Sequence, residues 1–375
     1  MPPFPGHGGA GEQLDNYVNQ IKWHFDKADE EKFKWIGPVA SGFESVLIRF
    51  KALVISPNEH QVWKDFVVKV PFWSKGEKLR DEIEKLESYQ GAHIVEKVDL
   101  PDNPLELNLL SEIYGRTNFG GPYLIMEYMP NGTLANFLGR AQGVALQRIS
   151  NRWLWRLFRC LIDICIDIEY PTRADQDRAQ ARGRPESQWF GPRSNFAHPD
   201  LTIHHVLVGT CDRNSVDHQI SPILKATSLG CRPLMSFLFE DESIIGAKEN
   251  LKSVAMIMQC LITLKDMDEE DGGFRAGFIK LADGRVLKTD AGFLLPDHSI
   301  QEHKMPFDWL DPRLRVLVCH CAAVNQDERP DLRSAWNCVN ATINSEQFQW
   351  SELGENPEDR FLQGLLDHPF QIDET

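Results

Sequence analysis

Three features are scarce or missing in this sequence: long apolar runs, closely paired cysteines and positive charge. No apolar run reaches the roughly 20 residues that a transmembrane helix needs, so we expect no membrane span. None of the eight cysteines stands in Cys-x-x-Cys spacing, and buried free thiols are the favoured interpretation. Lysine and arginine number 40 against 55 aspartate and glutamate, which gives a net charge of -15. Such an acidic surface repels phosphate backbones and anionic lipid, so we expect neither nucleic acid nor membrane as a partner.

What is present is the composition of a folded globular protein. The chain has 375 residues, of which 42% are hydrophobic and 25% are charged. That length allows two domains or one bilobal unit. The first residues lack a basic stretch followed by an apolar stretch, so we expect no secretory signal peptide. Because free thiols favour a reducing compartment, we expect an intracellular protein, cytoplasmic or nuclear.

The patterns along the chain change from strand-rich to helix-rich near residue 130. A Gly- and Pro-rich stretch over residues 1–13 is expected to be disordered, and an amphipathic helix follows it up to Lys32. Strands are predicted at Trp35–Ile36, Ser45–Phe50, Phe66–Val70, Val98–Leu100 and Tyr123–Tyr128, with a helix over residues 76–90. The second half predicts a hairpin that turns at Asp283-Gly284 and helices at Leu154–Ile168, Asn250–Leu264, Leu314–Ala323 and Leu332–Ile343.

Five segments carry a resemblance to the protein kinase superfamily. They are FVVKV at residues 66–70, MEYMPNGTL at 126–134, HPDLTIHH at 198–205, ILKATSLG at 223–230 and Arg329-Pro330. The resemblance covers residues 33–343, and the chain is similar to divergent fungal-type kinase domains whose catalytic motifs are degraded. Such domains are called pseudokinases when they no longer transfer phosphate.

The resemblance implies an α+β, bilobal protein kinase-like fold. A small lobe with an antiparallel β-sheet and one helix would cover residues 33–129, and a larger, mainly helical lobe would cover residues 130–343. Insertions are expected near residues 171–196 and 272–306 of the larger lobe. A disordered stretch and a helix would precede the fold at residues 1–32, and an acidic C-terminal tail would follow it at 344–375.

In the family, the strand that FVVKV resembles holds the lysine that binds the nucleotide phosphates, here Lys69. An ammonium group inside an apolar strand needs a partner, because burying it unpaired is costly. Counting back from His93-Ile94-Val95, which resembles another kinase segment, we expect that partner to be Glu82. A surface pair that involves Lys64 is the competing interpretation. The resemblance thus gives Lys69 and Glu82 catalytic positions.

The glycine-rich loop of the family is poorly matched. Gly37, Gly42 and Val46 fit its pattern and would lie against a bound nucleotide. Glu44, however, stands where a third glycine belongs and would repel phosphate. An ordinary strand-turn-strand explains the segment equally well.

The segment that links the two lobes in the family is well matched. Met126 would lie beside the adenine pocket, and backbone groups of Glu127 and Met129 would hydrogen-bond the adenine. Backbone contacts tolerate changes of side chain, so weak ATP binding is expected at most. A buried strand followed by an exposed turn is the alternative interpretation.

The catalytic and metal-binding motifs are the most changed. HPDLTIHH keeps Asp200, the base that would accept the proton of a substrate hydroxyl. His205 stands where the family has a magnesium-binding asparagine, and Ser228 stands where it has a magnesium-binding aspartate. Imidazole is a poor ligand for Mg²⁺, and serine has no carboxylate. Because no Asp or Glu occurs between His218 and Phe239, we predict no metal ligands and no normal Mg²⁺ binding.

Two further departures concern the larger lobe. Asn250 replaces the aspartate that braces the catalytic loop in the family, and the segment between Gly230 and Asn250 is short. These changes predict an incomplete platform for a substrate peptide. Arg329-Pro330 matches a late family motif, but the glutamate that normally pairs with this arginine has no obvious counterpart.

These patterns favour a pseudokinase that acts as a binding, scaffold or allosteric module for a protein partner, with weak or no phosphoryl transfer. Two alternatives stay open. One is an atypical ATP-dependent protein kinase that modifies serine or threonine with Asp200 as base and recruits metal differently, for example Mn²⁺ through His205. The other is a small-molecule phosphotransferase of the aminoglycoside-kinase type, which also needs the missing aspartate. The oligomeric state stays open as well.

Overall fold

A computed structural model of the chain shows an α+β protein. The described residues are 10–42, 45–55, 60–72, 76–105, 122–171, 193–212, 215, 217–230, 245–267, 275–296, 305–345 and 357–367. Among them are eight α-helices, one antiparallel sheet of four strands and two sheets of two strands. The chain divides into two compact units, residues 1–84 with 96–128 and residues 85–95 with 129–375. No helix in the described ranges has the length and apolarity needed to cross a bilayer.

Strands and helices follow one another along the described residues in a strand-rich and then a helix-rich part. The strands are β1 (Phe33–Ser41), β2 (Ser45–Ile55), β3 (Gln61–Pro71), β4 (Leu124–Glu127), β5 (Val206–Val208), β6 (Leu224–Ala226), β7 (Gly277–Lys280) and β8 (Val286–Thr289). The helices are α1 (Ala10–Lys27), α2 (Gly76–Ser88), α3 (Leu134–Gly143), α4 (Asn151–Glu169), α5 (Ile245–Thr263), α6 (Pro312–Cys321), α7 (Leu332–Ile343) and α8 (Pro357–Asp367).

The first unit is built around the sheet β1-β2-β3-β4, in which every neighbouring pair is antiparallel. Side chains alternate along β2, so Val46, Ile48 and Phe50 are fully buried on one face, whereas Arg49 is only partly buried. Helix α1 packs on the buried face, where the rings of Phe25 and Phe50 lie 4.9 Å apart. The alternation of apolar residues therefore decides which face of the sheet becomes core.

Helix α4 is the centre of the second unit and packs against α5 and α7. Its side chains are apolar around most of the circumference, and Trp153, Trp155 and Phe158 are fully buried. The helix begins where Ser150 accepts a hydrogen bond from the Trp153 amide, which satisfies one of the free donors of the first turn.

The short strands β5 and β6 bring two of the kinase-like motifs together. β5 follows directly after His205, β6 ends two residues before Ser228, and the two strands pair antiparallel. The amide of Thr227 continues the contact by donating to the carbonyl oxygen of His205 at 3.0 Å. Segments that are distant in the sequence thus become neighbours within the second unit.

A third sheet lies in one of the predicted insertions. β7 and β8 form the hairpin expected from Asp283-Gly284, and Gly284 has the positive φ of 89° that this type of turn requires. Ala323 bridges Thr289 on the far side of β8, and the Val324 amide donates to the Lys288 carbonyl at 2.9 Å. β8 is therefore paired on both sides, whereas β7 is an outer strand among the described residues.

The strand predicted at residues 98–100 is absent. Lys97 makes a single bridge to Met126, and the Val98 amide donates to the Ile125 carbonyl at 2.9 Å, after which the pairing stops. Pro101 follows directly and has no N–H with which to continue a ladder. Two apolar residues beside a proline are too short a run to hold a strand.

Three helices differ from the sequence prediction. α1 begins at Ala10, inside the stretch expected to be disordered, because alanine, glutamate and glutamine at its start are good helix formers. α3 and α8 are not predicted, although α3 carries a capping box between Thr133 and Asn136. In α8, which lies within the predicted tail, the buried carboxylate of Asp359 accepts from the Ser150 hydroxyl at 2.9 Å.

Some predictions fall on residues outside the described ranges. They concern the turn at Phe43-Glu44, the loop at Pro57-Asn58, most of the insertion at 171–196, the two outer parts of the insertion at 272–306, the segment between Gly230 and Ile245, and the remaining parts of the terminal stretches.

We expect Phe50→Ala to lower the free energy of unfolding of the first unit by about 3–5 kcal/mol, because a fully buried ring is replaced by a cavity. Ile55→Ala on the same strand is the matched control, since Ile55 is 75% exposed and its loss should change stability by less than about 0.5 kcal/mol. Urea unfolding followed by circular dichroism measures both. Equal effects of the two variants would contradict the assignment of the core face of β2.

Candidate functional site

Lys69 and Glu82 form a close ion pair in the first unit. Lys69 lies on β3 and Glu82 on α2, and the lysine Nζ is 2.7 Å from the glutamate Oε2. The two side chains are only 14% and 4% exposed. The pairing expected from the sequence is present, and the competing Lys64 is exposed on β3. Removing one partner of such a pair is costly, because the remaining charge stays buried.

The second oxygen of Glu82 is buried and has no hydrogen-bond partner among the described residues. Leu79 and Leu86, three residues before and four after it on the same face of α2, are buried as well. The amphipathic pattern of α2 thus fixes the direction of the carboxylate while one oxygen accepts from Lys69. The other oxygen is left to accept from a further donor.

The described part of the glycine-rich segment consists of β1, Gly42 and the start of β2. Gly37 lies in β1 with a φ of 140° at a shift in the register with β2, a backbone conformation that other residues rarely adopt. Gly42 follows β1, and its amide donates to the Ser45 carbonyl of β2 at 3.0 Å. Val46 is fully buried in the hydrophobic core of the first unit and presents no surface to a ligand.

The backbone groups predicted to bind adenine are largely used within the protein. Met126 is buried in β4. The Glu127 amide donates to the Glu96 carbonyl at 3.1 Å, and the Glu127 carboxylate accepts from the Glu96 amide at 2.8 Å. In the second unit, Met129 is 7% exposed and its carbonyl accepts from the Gly132 amide at 3.2 Å. These internal bonds reduce what the segment can offer to a flat ligand.

The buried ring of His198 holds the candidate site of the second unit together. Its Nδ1 accepts from the Asp200 amide at 3.1 Å, so Nε2 carries the proton and donates to the Thr227 carbonyl at 2.9 Å. Burial lowers the pKa of His198 to about 4, which keeps the ring neutral near neutral pH. The ring therefore joins the segment with Asp200 to the segment that leads to Ser228.

Asn250 braces the same segment from α5, where it is 1% exposed. Its Oδ1 accepts from the His198 amide at 2.8 Å, and its Nδ2 donates to the Phe196 carbonyl at 2.9 Å. Asn250 holds this segment at two points because an amide side chain supplies both an acceptor and a donor. α5 begins at Ile245, which places Asn250 inside the helix.

Asp200 is partly exposed, and its carboxylate lies against His205. Its Oδ2 is 3.2 Å from the His205 Nδ1, and the two side chains are 47% and 25% exposed. The hydrogen bond with His205 lowers the pKa of Asp200, so Asp200 is a weaker proton acceptor than an ordinary aspartate. The residue that replaces the family's asparagine is thus bonded to the expected base.

Ser228 is buried and has a φ of 63°, a left-handed conformation that is uncommon for residues with a side chain. Such strain persists only where the surroundings hold the backbone. Here the Thr227 carbonyl accepts from His198, and the Leu229 carbonyl accepts from the Lys85 Nζ at 3.2 Å. The position is therefore fixed from both sides, but it offers a hydroxyl in place of a carboxylate.

The residues present do not fit the magnesium ions that the kinase resemblance implies. Mg²⁺ prefers oxygen ligands in a nearly octahedral arrangement. The two family ligand positions carry the imidazole of His205 and the hydroxyl of Ser228, and that imidazole lies against Asp200, the one acidic residue of HPDLTIHH. Within the described ranges, no three His, Cys, Asp or Glu side chains are grouped so that they could hold a metal ion.

Arg329 has a glutamate partner that the sequence did not reveal. Its Nη1 lies 2.6 Å from the Glu249 Oε1, and its Nε donates to the Ala323 carbonyl at 2.9 Å. The arginine side chain is 3% exposed, so it is a buried anchor between α5 and the segment before α7. The sequence showed no obvious counterpart for this glutamate, and the structure supplies one at Glu249, which adjoins Asn250 in α5.

The predicted site residues are divided between the two units. The first unit holds Gly37, Gly42, Val46, Lys69, Glu82, Met126 and Glu127, and the second holds Met129, Asp200, His205 and Ser228. Within the units, the structure pairs Lys69 with Glu82 and Asp200 with His205.

Sequence reasoning missed Lys85, Thr227 and Glu249. The sequence could not identify Thr227, because its contact with His198 is made by its backbone carbonyl. It could not single out Lys85 and Glu249, because each lies in a helix with other charged residues.

Comparisons with known proteins add no identification. No protein-family model matches the chain, and no curated protein matches it either.

We expect Asn250→Ala to destabilise the second unit by about 2–4 kcal/mol, because the His198 amide and the Phe196 carbonyl both lose their partner. Asn337→Ala is the control, since Asn337 is exposed in α7 of the same unit. Denaturant unfolding measures both variants. A loss below about 0.5 kcal/mol for Asn250→Ala would show that the brace contributes no more than a surface contact.

We expect His205→Asn to raise the pKa of Asp200 toward the ordinary value, because the hydrogen bond that lowers it is removed. His204→Asn is the control, since His204 acts on Asp200 only through a weaker Coulomb interaction. Carbon-13 NMR titration of the aspartate carboxylates measures the pKa. An unchanged Asp200 pKa in His205→Asn would show that the hydrogen bond with His205 does not lower the pKa of Asp200.

The same lowered pKa predicts the sign of a pH effect on stability. Asp200 titrates at lower pH in the folded than in the unfolded chain, so its stabilising contribution is present above the unfolded pKa and is lost as pH falls through the folded pKa. In His205→Asn this acid-dependent loss should be smaller. Because Asp200 is 47% exposed, solvent screening keeps the effect small.

Proposed function

We propose that this protein is a pseudokinase, a bilobal kinase-like module that works by binding or scaffolding a protein partner, with weak or no phosphoryl transfer. The four-stranded antiparallel sheet with its helix would form the small lobe, and the helical unit would form the large lobe. This assignment rests on the motif resemblance and is compatible with an α+β fold of two compact units.

Retained structural contacts support the kinase-like part of the proposal. The Lys69–Glu82 pair has the residue types and the closeness that phosphate binding in a kinase requires. The neutral His198, the brace from Asn250 and the pair of buried Arg329 with partly exposed Glu249 hold the second unit's loop segments in place. All of these groups are hydrogen-bonded, and His198, Asn250 and Arg329 are buried, so they also stabilise the fold, whatever the chemistry.

One observation carries the proposal of weak or absent transfer: the carboxylate of Asp200 is bonded to His205, and Ser228 has no carboxylate. The base is weakened, and the metal loses its main protein anchor. If the loss of the metal anchor costs about 4 kcal/mol of transition-state stabilisation, the rate of phosphoryl transfer falls roughly a thousandfold. A kinase turnover of about 1–100 per second would then become too slow for signalling.

An atypical kinase is the alternative, and the intact Lys69–Glu82 pair favours it. Asp200 is partly exposed and ionised, so it could still accept a proton from a hydroxyl group. This function would need a metal that tolerates imidazole ligation, such as Mn²⁺. A thermal-shift titration with ATP, with and without metal, separates the two functions.

We expect ATP to raise the melting temperature of the protein weakly and to the same extent with and without Mg²⁺ or Mn²⁺. A rise that requires metal, together with phosphate transfer that disappears in Asp200→Ala, would overturn the pseudokinase proposal and support the atypical kinase. Transfer of labelled phosphate to a generic acceptor protein is measured in parallel.

We expect Ser228→Asp to create a metal-dependent stabilisation by ATP of at least about 2 °C, because it restores an acidic oxygen at the ligand position. Aspartate tolerates the left-handed backbone found there, with φ of 63°, so the variant should fold. Thr210→Asp adds the same charge at an exposed position of the second unit and should give no such effect. If both variants behave alike, the alignment of Ser228 with the family's metal ligand is wrong.

A further inference from the structure

The hairpin of β7 and β8 presents an unusually apolar outer face. Ile279 and Leu287 point inward and are buried, whereas Phe278 and Val286 point outward and are 66% and 61% exposed. Val324, which continues the sheet beyond β8, is 41% exposed. Single exposed apolar residues need no explanation, but three on one face of a small sheet are typical of a binding surface.

Basic residues alternate with the apolar ones on this face. Phe278 lies opposite Lys288, and Lys280 lies opposite Val286. Both lysines are exposed and have no ion-pair partner among the described residues. The two acids of the hairpin segment are engaged elsewhere: Asp283 pairs with Arg285 at 2.7 Å, and Asp290, directly after β8, pairs with Lys252 at 2.9 Å. In a chain of net charge -15, this face is locally basic.

Among the described residues, the outer edge of β7 has no backbone partner at Phe278 and Lys280. The Leu281 amide donates to the Arg285 carbonyl at 2.8 Å, which fixes the phase of the antiparallel ladder. Hydrogen-bonded and non-hydrogen-bonded pairs alternate, so the pairs Phe278–Lys288 and Lys280–Val286 are non-hydrogen-bonded. The N–H and C=O groups of Phe278 and Lys280 therefore point away from β8, toward an edge that can accept another strand.

We propose that this hairpin face, defined by Phe278, Lys280, Val286, Lys288 and Val324, binds an extended acidic segment of a partner protein. The segment adds as a strand to β7, its apolar side chains cover Phe278 and Val286, and its carboxylates pair with Lys280 and Lys288. A second copy of this chain fits less well, because it would bring lysines against lysines. The face includes none of the candidate residues Asp200, His205, Ser228 and Lys69, so it stands or falls independently of the pseudokinase proposal.

The test uses the full-length protein and two fluorescein-labelled octapeptides in which pairs of valines alternate with pairs of glutamates or pairs of lysines, so that each face of the added strand carries both residue types. Fluorescence anisotropy should show at least about tenfold tighter binding of the glutamate peptide. Phe278→Ser should weaken that binding about tenfold, because a central aromatic contact is lost. The double variant Lys280→Glu with Lys288→Glu should reverse the preference in favour of the lysine peptide.

Three comparisons complete the test. Ile55→Ser removes an apolar side chain that is 75% exposed in the first unit, and it should leave binding unchanged. A glutamate peptide N-methylated at every residue should not bind, since neither of its edges can then donate backbone hydrogen bonds to a strand ladder. Equal affinity for the glutamate and lysine peptides, or unchanged affinity after N-methylation, overturns the proposal. So does the absence of binding, or a concentration-dependent dimer in sedimentation experiments that Phe278→Ser abolishes.

Discussion

The neutral imidazole of His198 is the group on which the second unit's candidate site depends. It is one of few polar side chains that can accept and donate at once in an apolar environment, and it uses both nitrogens, toward the Asp200 amide and the Thr227 carbonyl. Asn250 then satisfies the backbone of His198 itself. Because each of these groups is buried or nearly so, leaving any of them unpaired would cost more than the bond it makes contributes. The loop geometry is therefore a consequence of polar satisfaction in the core, and it is independent of whether chemistry takes place there.

Burial separates two kinds of candidate site residue. Glu82, Arg329 and Asn250 are all nearly inaccessible and bonded, so substitution there destabilises the fold. Asp200 and His205 are partly exposed, so changes at these positions alter reactivity at little cost in stability. Ser228 belongs to the first kind, because it is buried and its left-handed backbone is held by its neighbours.

In the β7–β8 hairpin, some of the exposed side chains are apolar although folding does not require them to be. Its inward residues, Ile279 and Leu287, are sufficient to anchor it, so nothing in the folding of the hairpin requires Phe278 and Val286 on the outside. Exposed aromatic and β-branched side chains at an open strand edge are a liability for aggregation, which proteins often limit by placing lysine at the edge. Lys280 at this edge limits self-association and at the same time makes the edge selective for an acidic strand.

Much of this protein is determined by the sequence itself, because the relevant signals are local. The alternation along β2, the apolar circumference of α4, the turn at Asp283-Gly284 and the Lys69–Glu82 pairing follow from patterns within short windows or from one motif. The tertiary structure alone decided that Asn250 braces His198, that Glu249 pairs with Arg329, and that His205 bonds Asp200. The first two contacts join residues 52 and 80 positions apart, and the third depends on a loop conformation set by the strands beside it. Sequence patterns report which faces are apolar, whereas the partner of a buried polar group is decided only when distant segments pack and each donor must find an acceptor.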